Sequence, residues 1–357
     1  MSATARGDRR QRGRNEMKRM AAMALQAFLA MSVAGTARAA TPEEFYRGKV
    51  LTLFVGYSPG GAYDAVARLL AQHMTKYIPG NPKIAVQNSP GAGTLVLTNN
   101  LYNVAPKDGT QFGIIARGMA MEPLIGGANA KFDSTKFAWI GSAANEISMC
   151  VTSERSKANT WDAALKNPFT VGGNGSGSDP DIFTNVLKSL FGMKATLISS
   201  YPGTGELSLA LDRGEIDGRC GWSWTSIKLE HSQWVEQHKI NLLLQLALNK
   251  APDLPDVPLV VDLAKTERQR QVLELIFSRQ LMGRPFVAPP GIPEDRRDAL
   301  RAAFDQTMKD PAFLKEAHDS QIEINPVSGA NIDRLIETLY QTPKDVVDYA
   351  RRVVAGD

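Results

Sequence analysis

The chain has 357 residues, room for two domains, and its 43% hydrophobic content is that of a soluble globular protein. Its formal net charge of +4 comes from one end: residues 1–39 carry eight Lys/Arg and two acids, and the remainder holds 33 basic and 35 acidic residues, a net charge of −2. That balance excludes the basic surface that nucleic-acid binding requires.

The first residues read as a secretory signal. Lys18 and Arg19 precede the apolar run 20-MAAMALQAFLAMSVAG-35, and Ala37-Arg38-Ala39 has the small-x-small pattern of a cleavage site. Cleavage after Ala39 is expected. The run is too short for a comfortable membrane span, so a retained anchor is the weaker alternative. Met17 begins the signal as well as Met1 does, which would leave residues 1–16 untranslated. Cys150 and Cys220 are the only cysteines. An exported protein can pair them, but sequence does not show whether their Cα atoms approach, and two separate buried thiols is the reading favoured here. No Cys/His cluster has zinc spacing, and no metal or cofactor is expected.

The rest alternates strand and helix. Strand 50-VLTLFVG-56 leads to a helix over 62–77 whose apolar face is Val66, Leu69, Leu70 and Tyr77, with His73 on that face as a core histidine. Strand 83-KIAVQN-88, the turn 89-SPGAG-93, a helix over 94–104 and strand 111-QFGIIA-116 follow. This βαβαβ series implies a parallel sheet with right-handed crossovers. A second series has strands at 147–153, 169–173, 195–200, 216–220 and 240–248, with helices ending at Leu190 and Arg213. The segment 251-APDLPDVPLV-260 reads as irregular. A helix over 266–278, an apolar strand 281-LMGRPFVA-288, a helix starting at Pro293 and one further helical stretch from Ala330 to the end complete the chain.

Gly56-Tyr57-Ser58-Pro59-Gly60 matches the G-x-S-x-G nucleophile elbow, in the strand–turn–helix context that motif needs. An elbow takes part of its oxyanion hole from the N–H of the residue after the serine, and Pro59 has none. Ser176 is flanked by glycines, but no acid–base partner is evident. Three Gly-rich loops, 56-GYSPGGAYD-64, 172-GGNGSGSDPD-181 and 201-YPGTGE-206, each follow a strand and precede a helix. Such loops gather at the carboxyl edge of a parallel sheet, where ligands bind. The helix N-termini beyond them offer unpaired N–H groups and a positive dipole end to an anion. A dinucleotide fits poorly, because Ser178 stands at the third glycine place of G-x-G-x-x-G. One loop alone would be only a turn.

The sequence resembles the solute-binding receptors of tripartite tricarboxylate transporters, the TctC-like or Bug family. The similarity lies in 51-LTLFVGYSPGGAYDAVARLLAQHM-74, 86-VQNSPGAGTLVLTNNLYNVAPKDGTQFGII-115, 200-SYPGTGELSLALDRGEIDG-218, 252-PDLPDVP-258 and 284-RPFVAPPGIPEDRRDALRAAF-304. Its most specific signal is N-S-P-G-A-G with A-P-K-D-G-T beginning twelve residues past its last glycine.

The resemblance implies a two-lobed periplasmic binding protein of type II, each lobe a mostly parallel sheet flanked by helices. Lobe 1 would comprise residues 40–143 and 282–357, and lobe 2 residues 144–281. A small organic anion, typically a carboxylate, would be held between the lobes and passed to a pair of membrane permease subunits by a monomer with no catalytic activity. Carried over by position, the ligand contacts are Ser58, Gly60, Gly61 and Ala62 in lobe 1 and Gly175, Ser176, Ser178, Gly203 and Thr204 in lobe 2. Three segments depart from the family pattern: Arg117 and Met119 replace small polar residues, 218-GRCGWSWTS-226 brings in Trp222 and Trp224, and the loop 174–181 is enlarged. Arg117 is a candidate partner for a ligand carboxylate, or else an arginine bridging to a surface acid. If the strand ending at Cys220 continues, alternation sets Trp222 and Trp224 on one face, either an aromatic wall for the ligand or part of the lobe core. A secreted serine hydrolase and a ligand-sensing subunit of a signalling system remain the alternatives.

Overall fold

A computed structural model describes residues 40–127, 129–175 and 177–356. The expected signal segment and Ser176 lie outside the described residues. Among the described residues no helix is long and apolar enough to cross a membrane.

After a short helix at Pro42–Tyr46 the chain enters strand β1 (Val50–Val55), then helix α1 (Ala62–Met74), β2 (Lys83–Asn88), α2 (Leu95–Asn103) and β3 (Gln111–Ile114). A 3-10 turn at Arg117–Ala120 and a one-turn helix at Glu122–Ile125 lead to β4 (Ala138–Ser142). Then come β5 (Ser148–Ser153), β6 (Phe169–Gly172), α3 (Asp179–Phe191), β7 (Ala195–Ile198), α4 (Thr204–Arg213), β8 (Gly218–Ser223), α5 (Trp224–Glu236), β9 (Ile240–Leu246) and α6 (Glu267–Phe277). The chain ends with β10 (Pro285–Ala288), α7 (Glu294–Thr307), α8 (Pro311–Asp319), β11 (Val327–Ser328), α9 (Gly329–Tyr340) and α10 (Lys344–Ala355).

The strands form two sheets, ordered β11-β4-β10-β3-β1-β2 and β7-β6-β8-β5-β9. Each sheet is mixed, where mostly parallel sheets were expected. β1 runs parallel to β2 and β3, and β6 runs parallel to β7 and β8, as helical crossovers require. The antiparallel halves come from strands that arrive from the other sheet: β10 lies antiparallel to β3 and β4, and β5 lies antiparallel to β8 and β9. The backbone passes from one sheet to the other at residues 143–147 and again at 278–284. Both passages bring charged side chains to the junction.

The apolar periodicity read from the sequence becomes the core. Val66, Leu69 and Leu70 of α1 pack with Leu51, Leu53 and Val55 beneath them. A larger cluster runs without a break from Leu97 and Trp139 of the first sheet to Phe183 and Leu244 of the second. Helix α10 helps to join them: it packs on α3 and α6, and Asn185 Nδ2 donates to Val354 O at 2.9 Å. Cys150 and Cys220 face each other across β5 and β8 and are joined as a disulfide in the buried core. The expectation of separate thiols fails because the antiparallel register of two neighbouring strands sets them opposite each other, a pairing that only the fold reveals.

Candidate functional site

The first loop is held open by its own helix. Gly60 has φ +90° and turns the chain into α1, a conformation that suits glycine alone. Asp64, third residue of α1, accepts from Gly60 N at 2.9 Å, from Arg68 Nε at 2.9 Å and from Asn88 Nδ2 at 2.9 Å, while Asn88 also donates to Tyr57 O. Ser58 is exposed, and among the described residues nothing is hydrogen-bonded to its hydroxyl. Tyr63 donates to Gly283 O at 3.0 Å, which anchors this loop to the second passage between the sheets.

The 172–181 loop of the second sheet uses the same device. Asp181, third residue of α3, accepts from Gly175 N at 3.1 Å and from the Ser178 hydroxyl at 2.9 Å, and it also takes Ser199 Oγ. Gly203 caps α4 in an extended conformation, with Thr204 as the first helical residue. Asn174 Nδ2 reaches Tyr201 O at 3.3 Å, so the two loops brace each other. In the 56–64 and 172–181 loops a carboxylate at the third helical position folds back on the residues before it, as the dipole of a helix start favours.

Between the loops lies a buried cluster of five charges. Arg117 Nε is 2.6 Å from Asp179 Oδ2, and its other nitrogens reach Glu146 Oε2 at 3.4 Å and the Ser148 hydroxyl at 2.8 Å. Arg279 Nη1 is 3.1 Å from Asp179 Oδ1, and Arg284 Nη1 is 2.6 Å from Glu146 Oε2. Burial works to raise the Asp179 carboxyl, but the charges of Arg117 and Arg279 outweigh it and hold the carboxyl below the usual range. Tyr57 lies in the field of Asp179, Arg117 and Arg284, and burial pushes its phenol well up, so it stays neutral. A pocket beside this cluster is walled by Ala62, Glu146, Thr225, Arg284 and Ile322.

Of the expected site residues, the structure brings the loop of Ser58, Gly60, Gly61 and Ala62 to the cluster through Tyr57 and Tyr63. Gly175 and Ser178 sit on the loop that leads into Asp179. Arg117 follows β3 and lies at the sheet junction, where the chain's own carboxylates, the buried Glu146 and the half-buried Asp179, already engage its guanidinium. Trp222 is not a wall of an open cleft. It is 1% exposed and packs with Met149, Val151 and Trp224 inside the second sheet's core. Gly221 forms a bulge (φ +77°), β8 stops at Ser223, and Trp224 begins α5, so simple alternation does not apply. Trp224 Nε1 donates to Asp253 at 2.9 Å.

Reading the sequence missed Glu146, Asp179, Arg279 and Arg284, whose charges come from separate segments and meet only in the fold. It also passed over Arg219, the one charged residue of β8 (Gly218–Ser223). Arg219 is 1% exposed, lies over the Trp222 ring at 4.5 Å, and donates only weakly, to Thr204 O at 3.4 Å and Ser208 Oγ at 3.3 Å. Its Nε has no partner among the described residues. Burial pushes its pKa down to about 9. No group of three or more His, Cys, Asp or Glu residues suited to a metal ion occurs among the described residues.

Residues 66–349 match the model of the tripartite tricarboxylate transporter family receptor. A UPF0065 protein in the TAR-I ttuE-ttuC' intergenic region of Agrobacterium vitis is 25% identical over 283 residues, covering 77% of this chain and 76% of that protein. Among solved structures, the periplasmic binding protein BugD superposes with a TM-score of 0.67 at 19% identity, over 86% of this chain and 98% of its own. MatC of Rhodopseudomonas palustris, with bound malate, gives 0.64 at 18% identity, over 86% and 99%. Rpa4515 of R. palustris, with adipate, gives 0.65 at 17% identity, over 85% and 97%. At these identities the likeness is one of fold: two mixed α/β sheets, the arrangement of two-lobed periplasmic binding proteins.

Proposed function

The chain belongs to the tripartite tricarboxylate transporter family receptors, and from that membership we propose that it captures a small carboxylate between its two sheets in the periplasm and presents it to the transporter's membrane subunits. The observation that carries this reading is the family match over residues 66–349. The fold adds support: three glycine loops with helix N-termini behind them belong to two sheets that meet at one buried, arginine-rich junction, and such N-termini take anions without chemistry. Two binding proteins of the same fold hold malate and adipate.

The finer assignments are part of the same proposal. Residues 1–39 are an export signal. The lobes are residues 40–143 with 282–357 and residues 144–281, with α10 lying across onto the second lobe. Ser58, Gly60, Gly61, Ala62, Gly175, Ser176, Ser178, Gly203 and Thr204 contact the ligand. The receptor acts as a monomer and catalyses nothing.

The test is thermal unfolding of the purified protein with malate, adipate and benzoate. A carboxylate present at a hundred times its dissociation constant adds about 2.7 kcal/mol of stability. A panel of carboxylates that leaves the melting temperature unmoved, against a sodium chloride control, removes the reading. N-terminal sequencing of periplasmic protein should begin at Ala40.

A further inference from the structure

Arg117, Arg219, Arg279 and Arg284 are buried arginines, each with no more than 4% of its surface exposed. Three of them reach a carboxylate within 3.4 Å. Among the described residues Arg219 reaches none. Its bonds to Thr204 O and Ser208 Oγ are long, and its Nε is unpartnered. A buried guanidinium without a counter-charge is a costly element of a fold, because desolvation is not repaid by pairing. Its place is informative. Thr204 and Ser208 are the first and fifth residues of α4, so the guanidinium lies along the first turn of the helix that follows the 201–206 glycine loop. Behind it the Trp222 ring is stacked at 4.5 Å, with His231 and Trp234 edge-on to Trp222 at 5.1 and 6.1 Å.

Resting on the carboxylate-receptor reading, we propose that Arg219, not Arg117, is the cation that receives a ligand carboxylate, in a second-lobe site made by the first turn of α4, Arg219 and the Trp222–His231–Trp234 ring cluster. Arg117 is engaged by Asp179 and Glu146, so a ligand carboxylate there would have to compete with two resident ones. At Arg219 it would meet a guanidinium that no carboxylate engages and whose Nε is unpartnered, beside the first turn of α4. Trp222, buried beneath the guanidinium, backs it, and the half-buried His231 and Trp234 rings favour a carboxylate with a planar or apolar body. Helix α5, which covers this side of the site, leaves helical geometry at His231 (φ −143°, ψ 33°). The titratable groups around Arg219 are Glu230 and His231 of α5, with Asp212 of α4 near His231. Glu230, exposed on α5, is within electrostatic reach of the guanidinium, and among the described residues the two form no ion pair.

The experiment uses the full-length protein, its Arg219→Met, Arg219→Lys and Glu230→Gln variants, and the probes benzoate, adipate and malate at matched ionic strength. The expected result has three parts. At least one carboxylate raises the wild-type melting temperature; Arg219→Met weakens that carboxylate at least tenfold; and the ligand-free Arg219→Met protein melts no lower than wild type, because an unpaired buried charge has gone. Arg219→Lys, which keeps the charge but not the planar fork, retains part of the affinity and covers a folding failure of the methionine variant. Equal binding by wild type and Arg219→Met overturns the assignment and leaves the receptor reading standing. No response of the wild type to any of the three overturns both. A drop in ligand-free melting temperature shared by Arg219→Met and Glu230→Gln shows that Glu230 is the partner, and the assignment falls.

Discussion

Arg117 Nε and Asp179 Oδ2 lie 2.6 Å apart, and through them the segment that follows β3 in the first sheet is tied to the first residue of α3 beside the second. Each partner has other contacts. Arg117 also meets Glu146 and Ser148, and Asp179 also holds Arg279. The pair is therefore one link in a chain of buried charges, and its members are not equivalent.

Asp179→Ala leaves Arg279 without an acid and Arg117 with only the 3.4 Å contact to Glu146. Removing one partner of a buried pair costs about 3–5 kcal/mol. Arg117→Ala leaves Asp179 with Arg279 and Glu146 with Arg284, so its cost is smaller. Urea unfolding should rank Asp179→Ala as the more damaging by about 1 kcal/mol or more; the reverse order would mean that Asp179 is not the hub.

The same carboxyl sets an acid limit. Its folded-state pKa is below the unfolded value, so as the pH falls the unfolded chain takes up the proton first. The stabilisation is complete above the ordinary aspartate value of about 3.9 and is lost as the pH falls through the depressed folded value. Stability measured between pH 5 and pH 2 should fall less steeply in Asp179→Asn than in wild type. Parallel curves would show that the pair contributes nothing to acid sensitivity.

The Cys150–Cys220 disulfide spans 70 residues of sequence. Chain-entropy reasoning gives such a loop about 4 kcal/mol of stabilisation. Cys150→Ala with Cys220→Ala should lower the urea midpoint accordingly, and dithiothreitol should then have no effect on the double variant while destabilising the wild type.

Two glycines separate backbone strain from crowding. Both have positive φ, but a Cβ on Gly60 meets nothing within 4 Å, whereas one on Gly221 would lie 2.9 Å from the backbone of Asp179 and Pro180. Gly60→Ala should cost about 1 kcal/mol through its dihedral alone. Gly221→Ala should cost at least 1–3 kcal/mol more, because the start of α3 must shift. Denaturant midpoints that agree within error for the two variants would refute this.

On the receptor reading Ser58→Ala should abolish no hydrolysis; among the described residues no base is bonded to the Ser58 hydroxyl. If its hydroxyl meets the ligand, carboxylate affinity falls by roughly 0.5–1.5 kcal/mol, read by calorimetry. Covalent labelling of Ser58 by a fluorophosphonate would contradict the receptor reading.

Local patterns made much of this legible. The β1 and α1 boundaries follow from an apolar strand, a glycine turn and a 3.6-residue stripe. Strand β4, 138-AWIGS-142, escaped notice because all five residues are buried and nothing alternates. The expected single C-terminal helix is two, α9 and α10, with Pro343 between them, a breaker that was visible. Helix α8 was missed, although Asp310 as N-cap and Pro311 after it mark its start. Helix α5 was hidden because its apolar stripe fails at His231. The charge cluster had no local signature, since Arg117, Glu146, Asp179, Arg279 and Arg284 are brought together only by two passages between the sheets.

Strand β10 lies between β3 and β4, and no other pairing connects the β4–β11 half of the first sheet to the β1–β2–β3 half. Ser142 and Pro285 are separated by the whole chain of the second sheet, so the first sheet stays incomplete for the interval between the delivery of one and of the other. During that interval β3 carries an unpaired edge, and a product truncated before Pro285 would carry it permanently. Such edges recruit strands from other chains. Premature termination or proteolysis within residues 143–284 should therefore yield aggregating fragments instead of a working half.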